Sequence, residues 1–210
     1  MYGDAGRKEP TDAGCSPLAD GETNLSGNHD KMASADRRAM RTRTALIEAF
    51  NHLALNHRKN IRVADITALA NVGRSTFYEH YRSADDIHLQ AMARPFVTLA
   101  DAAAGMGDEE RLTHLMQHFW ENRQLARTSF MGRMHDKVNR LLASMIEDRL
   151  RGEEDALAIP PRLAAMQLAE AALAPIRGWV TAEAPCAADA LAGALCRCGR
   201  AMRAALAKAP

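Results

Sequence analysis

The chain has 210 residues, 47% of them apolar and only 5% aromatic, and no apolar run approaches the roughly 18 residues that a membrane span requires. The first 30 residues lack the apolar stretch of a secretory leader, and Cys15, Cys186, Cys196 and Cys198 do not read as a disulfide framework, so a reducing, cytoplasmic setting is expected. The net charge of +1 conceals an uneven distribution: residues 31–82 carry ten basic against four acidic groups, whereas the first 30 residues are acidic. A basic stretch of that length is what a polyanion-binding module needs.

Residues 1–34 are rich in Gly, Asp, Ser and Asn without apolar period and read as a disordered tail. From Asp36 the pattern becomes helical, with Leu46, Ala49, Phe50 and Leu53 on one face of a helix reaching about Asn56. A polar break follows at residues 57–60. A short helix over 63–70 turns Val63, Ile66 and Leu69 or Ala70 inward, and Asn71-Val72-Gly73 forms a turn. Another short helix runs from Arg74 to Tyr81. Ser83 stands three residues before Asp86, the arrangement of a capping box, and opens a helix carrying Leu89, Met92, Phe96 and Leu99 that Pro95 should bend. Beyond Gly105 and Gly107, apolar spacings predict helices around Leu112–Phe119, Gln124–Phe130, Val138–Leu150, from Pro160-Pro161 onward, and over about 187–208. The expected fold is all-α, with about nine helices and no strand.

The two short helices and their three-residue turn, preceded by a longer helix, make a helix-turn-helix. The second short helix is small enough for a major groove, with Phe77 and Tyr81 anchoring it from behind. This region resembles the TetR family of transcriptional regulators. The resemblance is carried in order by Arg43 to Phe50, Val63 to Ile66, Val72 to Tyr81 with its Thr76-Phe77-Tyr78-x-x-Tyr81 core, and Asp85 to Ile87. It covers about 50 residues. Asn71 and Gly73 replace a common turn glycine and a common hydroxyl cap, Arg62 stands near a position that often holds a small hydroxyl residue, and Ala84 replaces a frequent lysine.

The resemblance implies a DNA-binding domain at residues 35–82 and a helical ligand-binding and dimerisation domain at residues 83–210. It implies that Tyr78 and His80 contact phosphates, Thr76 a phosphate or base, and Arg74 and Ser75 bases, with Arg41, Arg43 and Arg62 adding backbone contacts. It further implies a homodimer that reads a palindromic operator in double-stranded DNA, most often as a repressor released by a small molecule. No cofactor and no catalytic residue is implied. Between Pro160 and Lys208, 17 of 49 residues are alanine, and Leu191, Leu195, Cys198, Met202 and Leu206 repeat at spacings of four and three, so this stripe is the expected dimer seam. An apolar effector pocket is expected from Met92, Phe96, Met116, Phe119, Trp120, Phe130, Met134, Met145 and Trp179.

Two other readings compete. A constitutive DNA-binding or nucleoid-associated protein of the same fold would lack an effector. A helical metalloenzyme would use His114 and His118, one turn apart, with His135 further on.

Overall fold

The structure, a computed structural model, describes residues 26–56 and 61–208. Cys15, most of the expected tail and the 57–60 break lie outside the described residues. Of the described residues, 26–39 belong to one unit and those from Met40 onward to a second. Among the described residues there are nine α-helices, two 3-10 turns and one isolated bridge, between Leu157 and Ala207. Helix α1 is Ser26–Leu55, α2 Val63–Ala70, α3 Arg74–His80, α4 Ala84–Ala103 and α5 Glu109–Glu121. Helix α6 is Arg123–Phe130, α7 His135–Arg149, α8 Pro161–Val180 and α9 Ala188–Leu206. Helix α1 thus begins at Ser26, inside the stretch read from sequence as tail: the polar composition of its first turns carries no apolar period to mark it.

The local devices are physical and specific. Asn71 closes α2 in the left-handed conformation (φ 51°), which asparagine tolerates better than most residues. Ser83 caps α4 by accepting from the Asp86 amide at 3.3 Å. The Asp86 carboxylate accepts in return from the Arg82 amide, one residue earlier than a capping box requires. Asp108 caps α5 through the Arg111 amide at 3.0 Å. Proline starts α8, where a missing amide proton costs nothing.

The buried side chains form two clusters. The smaller holds Leu46, Ala49, Phe50, Leu53 and Ala54 of α1, Ile66 of α2, Phe77 of α3, Tyr81 and Ile87 of α4. Ala70 packs against it from α2, while Leu69 points outward. The larger holds Met92, Phe96, Leu99 and the C-terminal half of α4 with α5 to α9. Helix α4 therefore supplies both cores.

The stripe expected to form a dimer seam lies largely inside the chain. Leu191, Leu195 and Leu206 are buried within the chain, Met202 is half-buried against the same core, and Cys198 is exposed. Helix α9 lies on α5 and α4. Its buried arc centres on Gly199, with Ala192, Leu195, Cys196 and Leu206 beside it; Cys198 sits about 100° away and faces out. The apolar stripe is real, but its partner is inside the same subunit.

Gly199 makes that packing possible, because a Cβ there would overlap the Ala102 carbonyl oxygen on α4, a backbone atom that cannot swing aside. Gly199→Val should lower stability by roughly 1–3 kcal/mol or more through overpacking. Gly178→Ala, where a Cβ meets nothing within 4 Å, should cost no stability and gain up to about 1 kcal/mol from the helix preference of alanine. Thermal melts of both variants check the contrast.

Candidate nucleic-acid interface and ligand cavity

Helix α3 separates its faces sharply. Phe77 is fully buried and Tyr81 at its C-cap is 8% exposed, so the aromatic pair (centroids 5.9 Å apart) seats the helix on α1 and α2. Arg74, Ser75, Tyr78 and Glu79 face solvent, with Tyr78 52% exposed, while Thr76 and His80 are half-buried at the edges of that arc. The Tyr78 ring packs edge-on against Phe77 at 5.3 Å, which fixes its direction without hiding the hydroxyl. Arg41, Arg43 and Arg62 are exposed. The backbone amide of Arg62 donates to the Asp65 carboxylate at 3.1 Å, and its guanidinium lies 3.9 Å from the same carboxylate. Burial pushes the Tyr81 phenol pKa up, with the nearby Arg43 charge opposing.

A cavity of about 680 Å3 opens among α1, α4, α5 and α6, within the range of small-molecule sites. Of the residues expected to line an effector pocket, only Met92 and Phe119 do. Phe96, Met116, Phe130 and Met134 are buried in the larger core, where Phe96 stacks parallel to Phe130 at 6.2 Å and Phe119 meets Phe130 edge-on at 5.3 Å. Met145 packs half-buried against that core. Trp120 and Trp179 contact each other at 4.9 Å, with the Arg123 guanidinium over Trp120. Trp179 lines a separate, shallower depression beside Cys186, whose carbonyl accepts its indole N–H at 2.9 Å. Phe96, Met116, Phe130 and Met134 fill space rather than frame the cavity.

Sequence reasoning missed the polar lining. His88 is buried on α4, its Nε2 2.7 Å from the Ser129 hydroxyl of α6. Ser129 directs its one proton at the Leu125 carbonyl, 3.0 Å away, so His88 Nε2 is the donor. Burial pulls the His88 pKa down from 6.5 to about 4, against the opposing pull of Asp85. Its ring also lies 5.1 Å from that of Phe50 on α1. The spacing of His88 four residues before Met92, and eight before Phe96, extends the apolar stripe of α4 and was the available clue. Asp85, one turn N-terminal, is partly buried but held below the usual carboxylate range by Lys137 at 2.8 Å, Arg133 at 3.3 Å and His88.

His114 and His118 are both exposed, and Asn122 occupies the His118 ring at 3.3 Å. His135 lies against Arg177 and Glu170. Among the described residues no group of three or more His, Cys, Asp or Glu side chains is arranged to hold a metal ion.

The geometry defines a helical protein with a short helix, α3, that turns a polar face outward, and a cavity among α1, α4, α5 and α6. No protein-family profile matches the chain. A stretch of 68 residues is 38% identical to the HTH-type transcriptional regulator YxbF of Bacillus subtilis (strain 168), covering 31% of this chain and 18% of that protein. The chain thus spans less than a fifth of the length of that relative. The crystal structure of a TetR transcriptional regulator from Streptococcus agalactiae 2603V aligns over 79% of this chain and 97% of that one, at 26% identity and a TM-score of 0.44.

The buried neutral histidine sets a pH dependence. Unfolding exposes His88 and restores its ordinary affinity for a proton, so the unfolded chain binds a proton below about pH 6.5 that the folded chain refuses until about pH 4. Stability should be flat above pH 6.5 and fall by roughly 3 kcal/mol down to pH 4. Asp85, lowered rather than raised, does not titrate in that window. Urea midpoints at pH 7.5, 5.5 and 4.5 should show the fall, and His88→Gln should flatten it.

Proposed function

We propose that this chain is a TetR-type transcriptional regulator that binds a palindromic operator as a homodimer and leaves it when a small molecule occupies the cavity. The observation that carries the reading is the face of α3: Arg74, Ser75 and Tyr78 exposed over a fully buried Phe77, within a basic segment. A guanidinium in the first turn suits a phosphate or a guanine edge, and a tyrosine hydroxyl suits a phosphate. Arg41, Arg43 and Arg62 add positive charge on exposed surface. Thr76 and His80, half-buried at the edges of the arc, reach only what lies along its rim.

One seven-residue helix makes few contacts, and a two-fold pair presents two to successive major grooves about 34–36 Å apart. Since the stripe at Leu191, Leu195 and Leu206 is used internally, the dimer face lies on the opposite side of the last two helices. Leu163, Met166 and Ala174 of α8 are exposed, as are Ala190, Cys198, Ala201 and Ala205 of α9. Small side chains let helices of two subunits approach closely.

The effector reading rests on the wall of the cavity. Phe50, Asn51 and Leu55 belong to α1, and Phe50 is also part of the core that seats α3. A ligand there touches the helix-turn-helix directly, and shifts DNA affinity by no more than its preference for one conformation over the other.

In a fluorescence-anisotropy titration with operator duplex, Tyr78→Ala and Arg74→Ala should each weaken specific binding by about 1–3 kcal/mol while leaving the thermal melt nearly unchanged. Normal affinity in both variants overturns this recognition face. Met166→Glu, which adds a charge to an exposed position, should yield folded monomers by sedimentation and lose palindrome binding. A stable dimer of that variant moves the interface elsewhere.

A further inference from the structure

The lining of the cavity has a charge asymmetry that the apolar-pocket expectation did not contain. Arg94 of α4 and Arg111 of α5 both line it, and among the described residues no carboxylate does. Neither arginine has an ion-pair partner among the described residues. The other polar groups are neutral amides and hydroxyls, Asn51, Thr98, Asn122 and Ser129, with the imidazoles of His88 and His118.

The lining is also graded with depth. Arg94, Arg111, His118 and Asn51 are exposed and make the rim together with the apolar side chains of Leu55 and Val97. Phe50, Met92, Phe119 and Ala126 are buried and make the inner wall, together with the His88–Ser129 pair. An unpaired guanidinium at the rim attracts an anion and stays hydrated when the site is empty, whereas an apolar inner wall rewards burial of a hydrocarbon or aromatic body.

We propose that the ligand of this cavity is an amphipathic carboxylic acid, its apolar body inside and its carboxylate held at the mouth by Arg94 and Arg111. The carboxylate accepts from the guanidinium groups, and bidentate pairing is open to either. The inner end does not compete for the charge, because buried His88 stays neutral across physiological pH and already donates its proton to Ser129. A cationic ligand would meet two like charges at the entrance with no acidic group to offset them. A wholly neutral ligand would leave the rim arginines unused.

The assignment rests on the effector reading for its biological meaning but not for its test, since binding is measurable without DNA. Calorimetric titration of the full-length protein would compare decanoate with decanol and decylamine, and 4-phenylbenzoate with 4-phenylbenzyl alcohol. The carboxylates should bind about tenfold or more tighter than their neutral counterparts and decylamine weakest. Raising salt should narrow the margin. Arg94→Ala combined with Arg111→Ala should remove that margin while leaving decanol affinity and the thermal melt unchanged. Because both side chains are exposed, folding is not at stake. Carboxylates that bind no better than the alcohols, an absence of binding included, overturn the proposal, as does a double variant that keeps the preference. Carboxylates that bind with this preference yet leave operator affinity unaltered uphold the ligand class and overturn the regulator reading instead.

Discussion

The structure depends on one helix serving two cores. Helix α4 places Ile87 among the side chains of α1, α2 and α3, and from Met92 onward it belongs to the larger core. Its entry is fixed by the Ser83 cap and by Asp85, which takes Lys137 and Arg133 from the far side of the chain. Its exit is fixed by Arg149, which bonds the Asp101 carboxylate at 2.6 Å and the Val97 carbonyl at 3.0 Å. Such partly buried pairs orient more than they stabilise, because desolvation offsets much of the attraction. What they secure here is the register of α4 against α7. Every later feature, from the seat of α9 to the shape of the cavity, assumes that register.

The elements that sequence made legible are those governed by local chemistry. Asn71 at a left-handed position, Ser83 before Asp86, and proline at the start of α8 each act within a few residues, and the structure shows each in its expected place. The buried Phe77 and Tyr81 were legible for a related reason, since a short helix with two aromatic side chains one turn apart has only one face to bury. The start of α1 was not legible, because its polar first turns have no apolar period to betray them.

The covering of the last helix and the lining of the cavity were hard to read for a different reason. Periodicity tells which face of a helix is apolar but not what covers it. Leu191, Leu195 and Leu206 satisfy a seam pattern equally well against α5 of the same subunit or against a neighbour. Gly199 carried the missing information, since a glycine on the buried arc marks close approach by another backbone, here at Ala102. A cavity, similarly, is defined by what does not fill it. Large apolar residues such as Phe96, Met116 and Phe130 were natural choices for a pocket, yet their size closes the core around them. The open volume lies where side chains are small, polar or at the rim: Ala91, Ala126, Thr98 and Asn122 beside Arg94 and Arg111.

That position bears on how, in the proposed function, a bound ligand would reach the outward face of α3. In the proposed mode the cavity is not remote from the helix-turn-helix, because Phe50 lies in both its wall and the smaller core, 5.1 Å from the His88 ring. His88 is itself held by Ser129 of α6. A body that enters between α1 and α6 must therefore coexist with the Phe50–His88 contact or displace it, and Phe50 packs in the same cluster as Phe77. Packed side chains do not deform continuously; they repack between discrete arrangements. The coupling is then limited by the difference in ligand affinity between the two arrangements of that ring pair, and a tenfold difference shifts operator affinity by about tenfold, or about 1.4 kcal/mol. Larger responses require that the ligand engage more of α4 than His88, at Met92 and Arg94, which line the same space. A carboxylate held by Arg94 at the mouth and a body pressed on Phe50 at the wall would do both, joining the helix that spans the two cores to the helix that seats the recognition element.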